Sequence, residues 1–331
     1  MTTGQWWIVA LSEQLAPGKV LAAVCNGQQL ALFRNSEGEA FALEDRCPHR
    51  RVPLSPGQVR PGGLQCPYHG WTFDGASGRC TDIPNLRRDE KIPPAAVAAY
   101  PVAELNGFIH VLTGEGEGEA APAAALPGAA YRASGREYTG TAVVGIGFGH
   151  YLDLMLDGTQ CLLSFPGVVI TDFFMGDPRL DGGYLVLDRG AVWAGKGVGP
   201  AFVRDHPLLV RTRVPLAGGD ITAELLDADE QPLVTVLIGA SANLRGTTSL
   251  AWRGFAHERA AGAPFGWRLR RLAGRAPFTV AQAIDARAVA LVEAAPSRER
   301  GGAAARTIPI TPAITAAAGC NGARAQQETF P

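Results

Sequence analysis

The sequence predicts an α+β protein in which an all-β N-terminal domain precedes a larger domain that combines an antiparallel sheet with helices. Short runs of β-forming residues alternate with turn residues in the first third of the chain. Longer alternating runs, interrupted by two helical segments, fill the remainder. A chain of 331 residues is also longer than one compact domain usually needs. We therefore expect two domains, each with its own core.

The N-terminal domain is predicted from short strand-like runs, with Asn26-Gly27 as a hairpin turn between two of them. These runs are residues 6–9, 20–24, 30–33 and 107–112. The segment after Gly114 alternates glycine with glutamate and continues into an Ala/Pro stretch, a composition typical of linkers. We place the domains at residues 1–114 and 131–331, with the linker at 115–130.

The second domain is predicted to contain a large antiparallel sheet and two helices. The strand-like runs are residues 138–144, 168–174, 184–193, 222–238 and 247–252. Residues 151–163 are predicted to be a helix after a glycine-rich start. Residues 280–294 are predicted to be a second helix, because they are rich in Ala, Leu and Val without Gly or Pro.

Composition and charge favour a protein that works on a small molecule or on another protein. The net charge of -1 gives no reason to expect nucleic acid or a membrane surface as a partner. The N-terminus lacks the basic start and apolar run of a signal peptide, and no apolar stretch approaches the length of a membrane helix. We therefore expect a cytoplasmic location, where closely spaced Cys and His are more often metal ligands or catalytic groups than disulfide partners.

Two short segments present the same pair of metal-ligating side chains. Cys47 and His49 are two residues apart, and Cys66 and His69 are three apart, with residues 50–65 between the pairs. Thiolates hold the irons of Fe–S clusters, and imidazoles in place of two of the four thiolates give the Rieske [2Fe–2S] cluster, whose reduction potential is higher. The pattern predicts such a cluster, ligated by these four residues.

The alternative is a zinc site, because two cysteines and two histidines also form tetrahedral zinc cages. Zinc fingers place both cysteines on one knuckle and both histidines on the other, whereas each segment here supplies one of each. Trp71 is expected to shield the cluster from water. The Tyr68 hydroxyl is a candidate hydrogen-bond donor to a ligand sulfur, with a packing role as the alternative. Cys25 and Cys80 have no His at suitable spacing and are assigned no role.

The residues around both segments resemble the oxygenase component of Rieske non-haem iron oxygenases, in particular the branch that includes vanillate and dicamba O-demethylases. The likeness is carried by Asp45-Arg-Cys-Pro-His-Arg-Arg-Val-Pro-Leu-Ser55 and Leu64-Gln-Cys-Pro-Tyr-His-Gly-Trp-Thr-Phe73. It is strong over the first third of the chain and weaker over the remainder. The resemblance implies a helix-grip second domain, a mononuclear iron bound by two His and one carboxylate, and head-to-tail homotrimers in which one subunit's cluster faces its neighbour's iron.

The helix that would carry the iron ligands departs from the family pattern. That pattern reads approximately Asp, two or more apolar residues, Asp, any residue, Ser/Thr, His, four residues, His, and it matches residues 153–167. Asp157 matches the carboxylate that bridges the two centres, whereas Gln160 and Phe165 stand at the histidine positions. Phe has no lone pair for a metal, and a Gln oxygen is a weak ligand compared with imidazole. The usual mononuclear iron is therefore expected to be absent.

The third iron ligand of the family would be a carboxylate near the C-terminus. Asp285 and Glu293 are available, but the closest match places Ala288 at the ligand position. His206 and His257 lie in strand-like or loop surroundings and are expected to be structural, with a position at a central cavity as the alternative for either.

A different metal trio is the alternative for the second domain. His150, Asp153 and Asp157 are spaced by three and four residues and therefore share one face of the predicted helix. A His with two carboxylates can hold iron, although helix caps and surface groups are the commoner roles for such residues.

Three functions are consistent with these residues. The first is an oxidoreductase that passes electrons from the cluster directly to a small organic molecule, for example to reduce C=N or C=C, with Asp157 and His150 as catalytic groups that handle protons. The second is an oxygenase, hydroxylating or demethylating its substrate, with non-standard iron ligands. The third is a non-catalytic electron-transfer subunit. Electrons are expected from a flavin or ferredoxin reductase, because residues 145–149 lack the spacing of a nicotinamide fingerprint.

Overall fold

The chain folds into two compact units. Unit 1 consists of Met1–Pro127, Gly239–Arg245 and Ser249–Ala251, and unit 2 of Gly128–Ile238, Gly246–Thr248 and Trp252–Pro331. The computed structural model describes residues 4–87, 89–114, 136–194, 208–257, 265–285 and 289–290. The expected linker at residues 115–130 lies outside this described part.

Unit 1 contains small antiparallel sheets. Its strands are β1 (Gln5–Leu11), β2 (Val20–Cys25), β3 (Gln28–Arg34), β4 (Ala40–Glu44), β5 (Gln58–Arg60), β6 (Gly63–Gln65), β7 (Thr72–Phe73), β8 (Cys80–Asp82), β9 (Ala99–Tyr100), β10 (Val102–Leu105) and β11 (Phe108–Thr113). The sheet orders are β1-β11-β10, β2-β3-β4-β9 and β5-β6-β7-β8. Apart from one 3₁₀ turn at Ser12–Gln14, the described residues before position 115 contain strands and loops only. This confirms the all-β prediction for the N-terminal part.

The hairpin between β2 and β3 is the one that the sequence predicts. The two strands pair antiparallel and end with Cys25 opposite Gln28. Asn26 and Gly27 have φ angles of 50° and 77°, the left-handed backbone that a two-residue hairpin turn requires and that Asn and Gly adopt most easily. The turn fixes the register of β3, in which residues 30–33 are all buried, and Ala31 and Phe33 belong to the same hydrophobic core as Cys47 and Cys66.

The second half of the chain forms an eight-stranded sheet, a separate two-stranded sheet and helices. Its strands are β12 (Glu137–Val144), β13 (Leu163–Ser164), β14 (Val168–Met175), β15 (Arg179–Asp181), β16 (Tyr184–Trp193), β17 (Leu208–Pro215), β18 (Asp220–Leu226), β19 (Pro232–Ala242), β20 (Thr248–Ala256) and β21 (Thr279–Val280), and its helices are α1 (Phe148–Asp157), α2 (Thr159–Leu162) and α3 (Phe265–Leu272). The eight-stranded sheet has the order β12-β20-β19-β18-β17-β16-β14, with β15 paired to β16. This arrangement confirms the α+β class. Within the described part, no helix combines the length and the apolar character needed to span a membrane.

Helices α1 and α2 lie where the sequence predicts one continuous helix over residues 151–163. Gly158 separates them, with φ -139° and ψ 42°. Its N–H still donates to the Leu154 oxygen at 2.8 Å, and a Cβ at this position would lie only 2.7 Å from Leu154 Cδ1. The helix is therefore interrupted at a residue that has no side chain, and α2 begins as a separate short helix.

Two predicted elements differ from the structure. The run at residues 222–238 is divided between β18 and β19 by a turn in which Glu230 has a φ of 56°. The helix expected from Val280 is wrong at its start, because Val280 pairs with Leu163 as a strand and residues 281–285 are not helical. An apolar run without Gly or Pro suits a buried strand as well as a helix. Residues 289 and 290 are helical, as predicted, and the Val289 N–H donates to the Asp285 oxygen at 3.0 Å. Residues 286–288 and 291–294 of that prediction lie outside the described part.

Candidate functional site

The first pair of predicted cluster ligands lies on the loop between β4 and β5. The Cys47 N–H donates to the Val52 oxygen at 2.9 Å, and the Arg51 N–H donates to the Cys47 oxygen at 2.8 Å. Arg51 has a φ of 57°, a left-handed conformation that closes the loop back on Cys47. The loop thus holds Cys47 and His49 in a tight turn of its own backbone.

Asp45 fastens the far end of this loop. Its Oδ1 accepts the N–H groups of Leu54 at 2.6 Å and Ser55 at 2.7 Å, and its Oδ2 accepts the Ser55 hydroxyl at 2.6 Å. Hydrogen bonds to an ionised carboxylate are among the stronger ones in proteins. Backbone hydrogen bonds around Cys47 and the side-chain hydrogen bonds of Asp45 therefore hold the first cluster loop at both ends.

The second pair of ligands lies on the loop between β6 and β7, which repeats the same design. The Cys66 N–H donates to the Trp71 oxygen at 2.7 Å, and the Gly70 N–H donates to the Cys66 oxygen at 3.2 Å. Gly70 has a φ of +74°, and a Cβ there would lie 2.7 Å from Pro84 Cγ. Glycine is required at this turn because of both its backbone conformation and the lack of space.

The two loops bring all four predicted cluster ligands together. Cys47 and Cys66 are 1% and 3% exposed, lie close enough for Cys66 to raise the pKa of Cys47 and belong to the hydrophobic core of the unit. The rings of His49 and His69 are exposed, with centroids 4.7 Å apart. Two sulfurs therefore face inward and two imidazoles face the surface, which is the donor set that a Rieske cluster needs.

The electrostatics at the ligands follow from burial and from backbone donors. Burial raises the pKa of Cys47 to about 11, while backbone N–H groups of His49 and Arg50 that donate to its sulfur act in the opposite direction. Desolvation and the neighbouring His69 and Arg50 lower the pKa of His49, which favours the neutral imidazole that binds metals. N–H donors to a ligand sulfur also stabilise the extra electron of a reduced cluster.

The aromatic neighbours pack on the imidazoles. The Trp71 ring stacks on His49 with a centroid distance of 4.7 Å and an interplanar angle of 9°, consistent with the shielding role. The Tyr68 ring lies 3.9 Å from the His69 ring, and Tyr68 is 61% exposed. None of the hydrogen bonds found in the described part joins the Tyr68 hydroxyl to a cysteine sulfur. The proposed bond to a ligand sulfur therefore stays a prediction.

The other predicted site residues lie on or after α1. His150 and Asp153 are partly buried, and Asp157 is 3% exposed at the C-terminal end of the helix. Gln160 is partly buried on α2, and Phe165 is 2% exposed. We call residues 156–165, where α1 ends and α2 follows, the junction. The donor types present at the junction do not fit the mononuclear iron of the family, because neither Gln160 nor Phe165 supplies an imidazole.

Within the described residues, no three His, Cys, Asp or Glu side chains are grouped closely enough to hold a single metal ion. The four predicted cluster ligands are not such a group, and a Rieske cluster needs only two protein ligands on each iron, because sulfide completes each iron's shell. His150, Asp153 and Asp157 are not such a group either.

The other histidine and carboxylate positions considered in the sequence analysis belong to no group of three metal-ligating side chains in the described part. The His257 Nε2 is 2.9 Å from the Thr235 hydroxyl, a partner consistent with its expected structural role. Asp285 is exposed. His206, Ala288 and Glu293 lie outside the residues that the structure describes.

Sequence reasoning missed Arg189 in β16. This arginine is 1% exposed, and its Nη2 donates to the backbone oxygens of Leu156 at 2.8 Å and Asp157 at 2.6 Å. It therefore places a positive charge against the junction. The available signal was an arginine within the strand run 184–193, which otherwise reads as a mostly apolar, buried strand.

Comparison with known proteins agrees with the geometry of unit 1. Residues 5–101 match the Rieske [2Fe-2S] domain family. The chain is 42% identical over 117 residues to the 4beta-methylsterol monooxygenase of Methylococcus capsulatus, which covers 35% of this chain and 31% of that protein. It is 40% identical over 113 residues to the oxygenase subunit of the 3-chlorobenzoate-3,4-dioxygenase of Comamonas testosteroni, covering 33% and 26%. The chain thus matches less than a third of the length of these relatives.

Solved structures extend the likeness of the fold to most of the chain. Dicamba monooxygenase with non-heme iron and dicamba has a TM-score of 0.56 at 23% identity, covering 77% of this chain and 76% of that chain. The terminal oxygenase of carbazole 1,9a-dioxygenase from Nocardioides aromaticivorans has a TM-score of 0.55 at 19% identity, covering 81% and 79%. The chain therefore carries a Rieske [2Fe–2S] domain at residues 5–101 and shares its fold with the Rieske non-haem iron oxygenases.

Proposed function

We propose that the chain is a Rieske-cluster oxidoreductase that passes electrons from the cluster directly to a small organic molecule, without a mononuclear iron. One contrast carries the proposal. Unit 1 assembles a complete set of two thiolates and two imidazoles, whereas the junction has Gln160 and the buried Phe165 where the resemblance expects two histidines. A chain that keeps the cluster but lacks the two histidines for an oxygen-activating iron is suited to electron transfer without oxygen chemistry at the junction.

The substrate in this proposal is a molecule with a C=N or C=C bond. Reduction of such a bond consumes two electrons and two protons, so the one-electron cluster is reduced twice in each turnover. Asp157, buried at the end of α1, donates a proton near the substrate. His150, partly exposed near the start of the same helix, exchanges protons with solvent. Both residues act as proton donors and neither binds a metal.

The partners follow from the same proposal. A flavin or ferredoxin reductase supplies the electrons, and the exposed imidazoles of His49 and His69 give the cluster an edge from which electrons enter and leave. The chain assembles into homotrimers, the arrangement that the family resemblance implies. In such a trimer the cluster of one subunit serves the junction of its neighbour, next to Asp157.

The test is an iron and sulfide count on anaerobically purified protein. We expect about two irons and two sulfides per chain, and about three irons would contradict the proposal. The variant Cys47→Ser/Cys66→Ser provides the matched control, because it removes the cluster ligands and leaves the junction intact. We expect about zero iron in this variant, whereas about one iron per chain would reveal a mononuclear centre.

An oxygenase is the second candidate, and one observation favours it. The similar proteins include a 4beta-methylsterol monooxygenase and a 3-chlorobenzoate-3,4-dioxygenase subunit. Turnover separates the candidates. A direct reductase consumes substrate under nitrogen when a reductant is supplied, whereas an oxygenase requires dioxygen. An electron-transfer subunit, the third possibility, turns over no substrate under either condition.

A further inference from the structure

Arg189 is a buried cation that the proposed reaction does not use. Its side chain is 1% exposed. Its Nη2 donates to the backbone oxygens of Leu156 and Asp157, and its Nε lies 3.3 Å from the Leu156 oxygen. The guanidinium thus contacts the C-terminal end of α1, the segment that precedes the two former ligand positions.

Arg189 is separated from the charge pairs on the opposite side of the sheet. Successive residues of a strand face opposite sides, and Asp188, the preceding residue of β16, accepts hydrogen bonds from Arg211 at 2.8 Å and Arg179 at 3.0 Å. Those arginines are 14% and 43% exposed. Arg189 alone of the three reaches the junction.

The contacts of Arg189 explain how a charge is tolerated at this depth. A buried guanidinium is stable only when its N–H groups are hydrogen-bonded. The backbone oxygens at a helix C-terminus carry the negative end of the helix dipole and accept these bonds. Because arginine is not deprotonated in proteins, the positive charge at the junction is permanent.

We propose that Arg189 is a resident cation that excludes a divalent metal ion from the junction. Gln160 is three residues beyond Asp157, so even a fully extended chain would keep its Cα within about 11 Å of the Asp157 Cα, and a metal held by a side chain at position 160 would lie in the same junction as the guanidinium. Positive charges at such a separation repel each other strongly in a buried setting, where solvent screens them little. The inference rests on the proposed function and adds a second obstacle to iron besides the missing histidines.

The experiment introduces histidines at positions 160 and 165, both in the presence and in the absence of Arg189. The variants are Gln160→His/Phe165→His alone, and the same pair combined with Arg189→Met, Arg189→Gln or Arg189→Lys. Arg211→Met on the same pair is the matched control, because it removes an arginine from the other side of the sheet. The probe is Co(II) titrated anaerobically into the cluster-loaded proteins, followed by its visible ligand-field bands and by metal analysis, with circular dichroism as the check on folding.

We expect Co(II) affinity to rise at least about tenfold when Arg189 becomes Met or Gln in the two-histidine background. The Lys and Arg211→Met proteins should bind Co(II) as weakly as the two-histidine protein itself. If Co(II) affinity in the two-histidine background is the same with and without Arg189, or if neither protein binds Co(II) measurably, the inference is overturned. The proposed function is tested by a different measurement, and it is contradicted if the wild-type protein holds about three irons per chain. Arg189→Gln keeps the test decisive if Arg189→Met does not fold, since Gln can still donate to a backbone oxygen.

Discussion

The cluster loops and the junction differ in the groups that they hold in place. In unit 1, backbone turns fix Cys47 and Cys66 so that two sulfurs and two imidazoles converge. At the junction, the group held in place is a cation of the protein itself, because the Arg189 guanidinium is hydrogen-bonded to two backbone oxygens. In the proposed function, the first region receives metal and the second holds a charge without it. The predictions below test this contrast.

The largest expected effect separates these two regions by their iron content. His69→Ala removes one of the two imidazoles predicted to hold the outer iron, so we expect the cluster to be lost and iron to fall from about two atoms per chain to near zero. Gln160→Ala changes the junction and should leave iron, sulfide and the visible spectrum unchanged. Loss of iron in the Gln160 variant would show that the junction binds metal and would end the contrast.

The second prediction changes the donors of the cluster without removing them. His49→Cys/His69→Cys replaces two neutral imidazoles by thiolates, which add negative charge and favour the oxidised state. We expect the reduction potential to fall by roughly 250 mV or more, the gap between Rieske and all-cysteine clusters. Protein-film voltammetry measures it. Cys80→Ser, which changes a cysteine packed near this core but not a ligand, should leave the potential where it was.

The cluster site was predictable because its information is local. Cys47 and His49 lie on one turn, Cys66 and His69 on another, and the residue types identify the metal chemistry. The hairpin at Asn26-Gly27 was predictable for the same reason. The strand runs that became β12, β14, β16 and β20 were also recognised from alternation alone.

Features that depend on contacts distant in sequence were not predictable. Arg189 meets the junction only because β16 passes beneath the end of α1, more than thirty residues away along the chain. Strand β17 was not predicted because its arginines make a partly buried strand look polar. Arg211 is paired with Asp188 on β16 and with Glu230 in a turn, and both partners are distant in sequence. Val280 was predicted to start a helix because its strand partner, Leu163, is even more remote in sequence.

A buried carboxylate in unit 2 provides the third prediction, because Asp220 lacks the donors that satisfy Asp45. Its Oδ1 is buried and has no hydrogen-bond partner within the described part of the chain, and burial raises the pKa of Asp220 to about 7. The folded state therefore keeps a proton that the unfolded state releases near pH 4. Stability from this proton is complete below about pH 4 and is lost as pH rises to about 7.

Asp220→Asn should remove that pH dependence. The variant and wild type should be equally stable below about pH 4, and above about pH 7 the variant should be more stable by at most about 4 kcal/mol. Urea unfolding followed by tryptophan fluorescence at several pH values measures the difference. Asp181→Asn changes an exposed carboxylate and should show no such trend. A constant difference between Asp220→Asn and wild type across this pH range would contradict the assignment.

The fourth prediction concerns the clamp on the first cluster loop. Asp45→Ala removes three hydrogen bonds to Leu54 and Ser55, so we expect a loss of about 2–3 kcal/mol in the free energy of unfolding and a faster loss of iron on heating. Ser55→Ala removes only one of the three bonds and should cost about 1 kcal/mol. Equal effects of the two substitutions would show that the backbone bonds to Asp45 do not hold the loop.

The smallest expected effect tests the aromatic neighbour of the cluster. A hydrogen bond of about 1 kcal/mol that favours the reduced cluster corresponds to about 40 mV for a one-electron couple. Because Tyr68 is 61% exposed and its ring lies against His69, we expect Tyr68→Phe to lower the potential by less than about 20 mV. Tyr68→Ala also removes the ring contact and should change the potential more. A fall of about 40 mV in the Phe variant would instead establish that the hydroxyl binds a ligand sulfur in the cluster-loaded protein, as the sequence suggests.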